Sequence, residues 1–109
     1  MEAAVAVFEL SKGFPDTEHY SFTDQIRRAS QSVPSNISEA WRKRRYAAAF
    51  VSKLNDSEGE AAETQTRLEL GRRFGYVKQA DAARLDQEYE EIIAMLTDMA
   101  SHPEQWTLR

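Results

Sequence analysis

The apolar positions of this 109-residue chain fall into runs with helical spacing, and the clearest lies near the C-terminus. There Leu85, Tyr89, Ile92, Ile93, Leu96 and Met99 recur every three or four residues. That spacing predicts a helix from about Gln79 to Ala100, stopped by Pro103. Earlier in the chain Phe22, Ile26, Ala29, Val33, Ile37 and Ala40 repeat the pattern. They fall within about 80° of one another on a helical wheel, as a single buried stripe does. Ser21-Phe22-Thr23-Asp24 resembles a capping box at the start of this second helix, with Asp24 in place of the usual Glu. Pro34 lies inside the span, where it removes one backbone donor and presses its ring on the Ser30 carbonyl. The stripe keeps its phase on both sides of Pro34. One kinked helix is therefore expected, against the alternative of a break there.

A third helix is expected from near Arg44 to Phe74, with Gly75 just beyond its end. Its stripe is Ala47, Phe50 or Val51, Leu54, Ala61, Gln65 and Leu68, and polar positions such as Glu58 interrupt it. The first helix is short, looks clipped, and runs to Lys12. Gly13, Phe14 and Pro15 end it, since glycine suits the position after a helix and proline cannot continue one. Val5 and Phe8 are its expected core contacts. No stretch reads as a strand. Short connections between amphipathic helices favour antiparallel neighbours. The fold expected is all-α: an antiparallel up-down four-helix bundle with a proline-kinked second helix. It forms one domain over residues 1–109, with a tail from about residue 101.

Composition narrows the chemistry. An apolar fraction of 41% and a charged fraction of 29% fit a folded globular chain. No run of about 18 apolar residues is present, so no membrane span is expected. Met1 to Val7 is apolar without a basic segment, which speaks against a secretory signal and for the cytoplasm. The absence of cysteine removes disulfides, thiolate catalysis and cysteine zinc sites together. The net charge of −4 is unevenly spread. Arg42, Lys43, Arg44 and Arg45 are consecutive, and Arg72, Arg73 and Lys78 form a second basic group. Residues 81–109 carry seven acids against Arg84 and Arg109. The acidic balance argues against bulk coating of nucleic acid, while a local basic patch stays open.

Gln25-Ile26-Arg27-Arg28-Ala29, followed by Ser32-Val33-Pro34-Ser35-Asn36-Ile37-Ser38-Glu39-Ala40, resembles a family signature. The family is that of the 23S rRNA intervening-sequence proteins. Its distant relatives are the accessory variability proteins of diversity-generating retroelements. Phe8-x-Leu10-Ser11-x-x-Phe14-Pro15 is similar to the family's first helix and its exit, and Gly75-Tyr76-Val77 to the turn before its last helix. Two positions depart from the pattern: Ala40 stands where glycine is usual, and Lys78 replaces a small polar N-cap. The resemblance implies an antiparallel bundle that assembles into a ring-like homo-oligomer, a pentamer by expectation. It implies no catalytic activity.

Candidate chemistry is sparse. A di-iron bundle needs paired Glu-x-x-His motifs, but Asp16 precedes His19 by three and Met99 precedes His102 by three. No metal, cofactor or small-molecule substrate is expected. No phosphate loop, nucleophile set or dinucleotide turn is present. The candidate nucleic-acid surface is Arg42, Lys43, Arg44 and Arg45, beside Trp41 and Tyr46, with help from Arg72 and Arg73. The competing account is that cations near a helix C-terminus simply complement its dipole. Trp41 reads as a core or interface anchor. Trp106 either packs back on the bundle or docks on a neighbouring subunit. Gln25, Arg28, Ser32, Ser35 and Glu39 form a polar stripe along the second helix, and Arg27 and Arg28 both face outward. That stripe is either a solvent face or the seam of a homo-oligomer; RNA is the second possible partner, at the basic run.

Overall fold

Four α-helices organise residues 1–108, the residues that the computed structural model describes: α1 (Glu2–Ser11), α2 (Asp24–Arg42), α3 (Ala47–Arg73) and α4 (Gln79–Ser101). No strand forms among the described residues. The helices pack antiparallel in sequence order, α1 on α2, α2 on α3, α3 on α4, and α4 back on α1. The result is an up-down four-helix bundle about 49 Å long. At 1.5 Å per residue α3 runs about 40 Å and spans most of that length, whereas α1 reaches only about 15 Å. One end is therefore built from four helices and the other from three.

The core divides the same way. At the four-helix end Val7, Phe22, Ile26, Leu68, Leu85 and Tyr89 pack together; at the three-helix end Ala40, Phe50, Leu54, Leu96 and Met99 do. Each fully buried Leu or Phe contributes about 1.5–3 kcal/mol. Ile37 bridges the two clusters. It lies beyond Pro34, and α2 passes that proline without ending, so the phase of the apolar stripe is kept.

The buried face of α3 is Phe50, Leu54, Ser57, Ala61, Thr64, Leu68 and Gly71. The spacing alternates four and three, and four of the seven, Ser57, Ala61, Thr64 and Gly71, are small or hydroxylic. Both hydroxyls are satisfied. Thr64 Oγ1 donates within its own helix to the Glu60 carbonyl at 2.9 Å. Ser57 Oγ crosses to α2 and donates to the Val33 carbonyl at 2.8 Å.

Several expectations need correcting. Val5 and Phe8 are not core residues of α1; Ala3, Ala4, Val7 and Ser11 face inward instead. Small residues let α1 approach closely, and the bulky pair is left outside. The capping box at Ser21 does not form, because residues 19–23 make a wide helical turn that leads straight into α2. Ser21 Oγ instead donates back to the Glu18 carbonyl at 3.4 Å. Gly13 does not adopt a left-handed conformation. Helix α3 begins at Ala47 rather than near Arg44, because the chain turns through Lys43 to an extended Tyr46. Ala47 is consequently exposed, and Gln65 is only half-buried.

Gly75 does what glycine does at a helix end. At φ +82° it lets the Tyr76 amide reach the Gly71 carbonyl at 2.8 Å while its own amide reaches Arg72 at 3.1 Å. The turn brings Phe74 and Tyr76 onto Phe22, and Tyr76 also onto Phe14, with ring centroids 5.7–5.9 Å apart. Gly71 has a packing reason: a Cβ there would lie 2.9 Å from Val77 Cγ2 and 3.3 Å from Phe22 Cζ. Helix α4 starts at Gln79, as expected, without a side-chain cap from Lys78.

Candidate functional site

The basic run lies at the three-helix end, where α2 turns into α3. Arg42 closes α2, and the Tyr46 amide donates to the Lys43 carbonyl at 3.0 Å. Arg44 is folded in. Its guanidinium lies 3.7 Å from the centroid of the Trp41 ring, and its Nε donates to the Trp41 carbonyl at 2.9 Å. The Arg44 carbonyl in turn accepts the Leu108 amide at 2.9 Å, so the tail returns to this turn after Pro103. Arg42, Lys43 and Arg45 are exposed, and no carboxylate lies within ion-pair distance of them among the described residues. Trp41 is 47% exposed and so is not a core anchor, while Tyr46 is 66% exposed.

Arg72 and Arg73 do not join this patch. They end α3 at the far end of the molecule, about 40 Å away along that helix. Both are engaged by Glu69, at 2.6 Å for Arg72 Nη2 and 2.9 Å for Arg73 Nε. These two guanidinium hydrogen bonds hold the Glu69 carboxyl down at about 2.

Along α2, Gln25, Arg28, Ser35 and Glu39 are exposed and Ser32 is half-buried. Arg28 has only a long contact to Asp24, at 3.9 Å. Ser32 Oγ donates to the Arg28 carbonyl at 2.8 Å. Glu39 pairs with Lys53 of α3 at 2.9 Å, and the ammonium's hydrogen bond lowers its carboxyl pKa. Arg27 departs from the expected outward pose. It turns back so that its guanidinium lies 4.5 Å from the Phe8 ring centroid, and its Nε donates to Ser11 Oγ at 2.7 Å.

Beside the stripe runs a groove that the sequence pattern did not announce. Met1, Ala4, Val5 and Phe8 of α1 face Pro34 and Ser35 of α2 across an open volume of about 450 Å³. No charged side chain lines it. Met1 and Val5 are 85% and 56% exposed. The available signal was that Val5 and Phe8 lie off the face defined by Ala3 and Val7.

His19 and His102 are both exposed and lie at opposite ends of the bundle. Among the described residues no three histidine, aspartate or glutamate side chains converge on a common point. No helix among them is long and apolar enough to cross a membrane.

Comparison with known proteins places this architecture. A structure described as a protein of unknown function from the S23 ribosomal protein family of Bacteroides thetaiotaomicron is 30% identical, with a TM-score of 0.82. The match covers 91% of this chain and 92% of that one. No curated protein matches the chain. The model of the 23S rRNA-intervening sequence protein family matches residues 1–98, and the chain belongs to that family.

Proposed function

We propose that the chain is a non-catalytic, self-assembling helical module that works in the cytoplasm as a homo-oligomer, a pentamer by family resemblance. The observation that carries this reading is the uncharged α1–α2 groove, where Met1, Val5 and Phe8 face water. An apolar surface of that kind, meeting a polar stripe at Ser35, suits packing against another subunit. The stripe of Gln25, Arg28, Ser32, Ser35 and Glu39 would then border the seam. Light scattering after size exclusion tests the reading. A species several times 12.5 kDa is expected, and a stable 12.5 kDa particle at micromolar concentration would overturn it.

A second reading, RNA binding, is favoured by the three cations Arg42, Lys43 and Arg45 that stand without carboxylate partners among the described residues, beside exposed Tyr46. The family's description, which names 23S rRNA, supports the choice of nucleic acid. Binding of a structured RNA should weaken with salt, with a log–log slope of about one per phosphate contacted. Replacing all three cations by Gln should flatten that slope. Salt-independent binding, or none at low salt, would remove this reading.

A further inference from the structure

Gly59 sits in the middle of α3, where glycine weakens a helix relative to alanine. Nothing among the described residues calls for it. Its φ is not positive, and an added Cβ would meet no atom within 4 Å. Gly71, in the same helix, is accounted for by Val77 and Phe22; Gly59 has no such neighbour. It lies on the outward face of α3 among Ser52, Asn55, Ala62 and Thr66, all exposed and all uncharged. This strip is about 20 Å long. Asp56 and Glu63 run along one border, each with only a long ion pair, 3.8 Å to Lys53 and 3.6 Å to Arg67.

The α1–α2 groove lies on a different side of the bundle and has the opposite character. Its exposed side chains, Met1, Val5 and Phe8, are large and apolar. Its border near Phe8 carries three cations, each with a contact inside the chain. Lys12 and Arg27 lie over that ring, Lys12 paired with Glu9 at 3.1 Å and Arg27 bonded to Ser11 Oγ, and Arg28 follows on α2, 3.9 Å from Asp24. One surface is large and apolar, with Arg27 and Arg28 at its border. The other is made of small uncharged side chains, with Asp56 and Glu63 at its border.

We propose that these are the two halves of one contact between copies of the chain: the Met1–Val5–Phe8 ridge of one copy seats on the Gly59 face of α3 in the next. In that pairing Phe8 comes over Gly59, and Arg27 and Arg28 come alongside Asp56 and Glu63. The proposal rests on the self-assembly reading above and deepens it by assigning the surfaces. Because the two halves lie on different faces, the contact is heterologous. Each copy keeps one free half, and the series ends only when a ring closes.

Two variants test this, each spoiling one half: Val5→Glu in the groove and Gly59→Leu on α3. Both positions are exposed, so both proteins should keep the wild-type helical circular dichroism spectrum and a cooperative melt. Sedimentation velocity of each variant alone should show monomer. An equimolar mixture should show a one-to-one pair and nothing larger, since it contains one intact ridge and one intact α3 face. Gly59→Ala should weaken assembly about tenfold while keeping or raising the melting temperature. Wild-type protein that sediments as a monomer would overturn self-assembly altogether. Wild-type oligomers that persist in both variants would leave self-assembly standing and overturn this assignment. So would disruption by only one variant, or a mixture that stays monomeric.

Discussion

The two ends of the bundle solve the same problem with different means. At the end where α2 begins, four helices, the rings of Phe14, Phe22, Phe74 and Tyr76, and the left-handed Gly75 close the core. At the other end three helices enclose Phe50 and Leu96, and the returning tail is held by the bond from the Leu108 amide to Arg44. The arginines differ in the same sense. Arg72 and Arg73 are engaged by Glu69, whereas Arg42 and Arg45 have no carboxylate within ion-pair distance among the described residues. For the arginines, the end that supplies a carboxylate leaves fewer cations over for anything else. Availability for binding is set by what the fold has already used.

The largest effect expected from breaking this contrast is at Phe50, which is fully buried at the three-helix end. Phe50→Ala should cost about 3–5 kcal/mol in denaturant unfolding. Amide exchange should rise first at the start of α3 and the end of α4, while the aromatic end stays protected. Uniform loss of protection would mean that the two clusters open as one unit. At the aromatic end, Gly75→Ala should cost about 1–2 kcal/mol, because the new side chain must occupy a left-handed conformation. A neutral melt would show that the turn rearranges freely. In the cluster of the four-helix end lies Tyr89, whose hydroxyl is buried without a partner among the described residues and whose pKa is raised by burial. Tyr89→Phe removes a polar group at little cost in shape and should leave stability unchanged or raise it by about 1 kcal/mol. A clear loss would reveal a partner for that hydroxyl in solution.

The smallest effect concerns acid. The Glu69 carboxyl is lowered to about 2 in the folded chain, below the unfolded range near 4.3. Its contribution is therefore complete above the unfolded value and is lost as pH falls from about 4 to about 2. Carboxyl NMR should show Glu69 titrating well below the other glutamates. A midpoint near 4 would mean that the contacts to Arg72 and Arg73 do not persist in solution, and the contrast between the ends would shrink accordingly.

How much of this was legible depended on side-chain size. Helix α4 declares itself because Leu85, Tyr89, Leu96 and Met99 are all large. Helix α3 is harder to read, since Ser57, Thr64 and Gly71 occupy every second core position and look polar or neutral in sequence. For α1 the same effect inverted the assignment: Ala3 and Val7 pack inside, and the bulkier Val5 and Phe8 stay outside. The basic turn was visible as a run of four cations, yet periodicity does not reveal that Arg44 stacks on Trp41. The engagement of Arg72 and Arg73 by Glu69 was available in principle, because three- and four-residue spacing brings such pairs together on a helix.

The bond from Ser57 to the Val33 carbonyl bears on how the helices find one alignment rather than several. A bundle whose core repeats every seven residues can slide by one repeat and still bury apolar groups. Sliding α3 against α2 by seven residues would bring Phe50 or Thr64 to the place of Ser57. Phe50 there has no hydroxyl to donate and a ring to accommodate; Thr64 keeps a hydroxyl but must fit an added methyl into a site with no exposed surface. In either case Ser57 is carried away from the carbonyl it now meets. A displaced buried hydroxyl without an acceptor costs about 1–3 kcal/mol. Ser57 thus works as a register pin, and replacing it by alanine should make out-of-step bundles more populated during refolding.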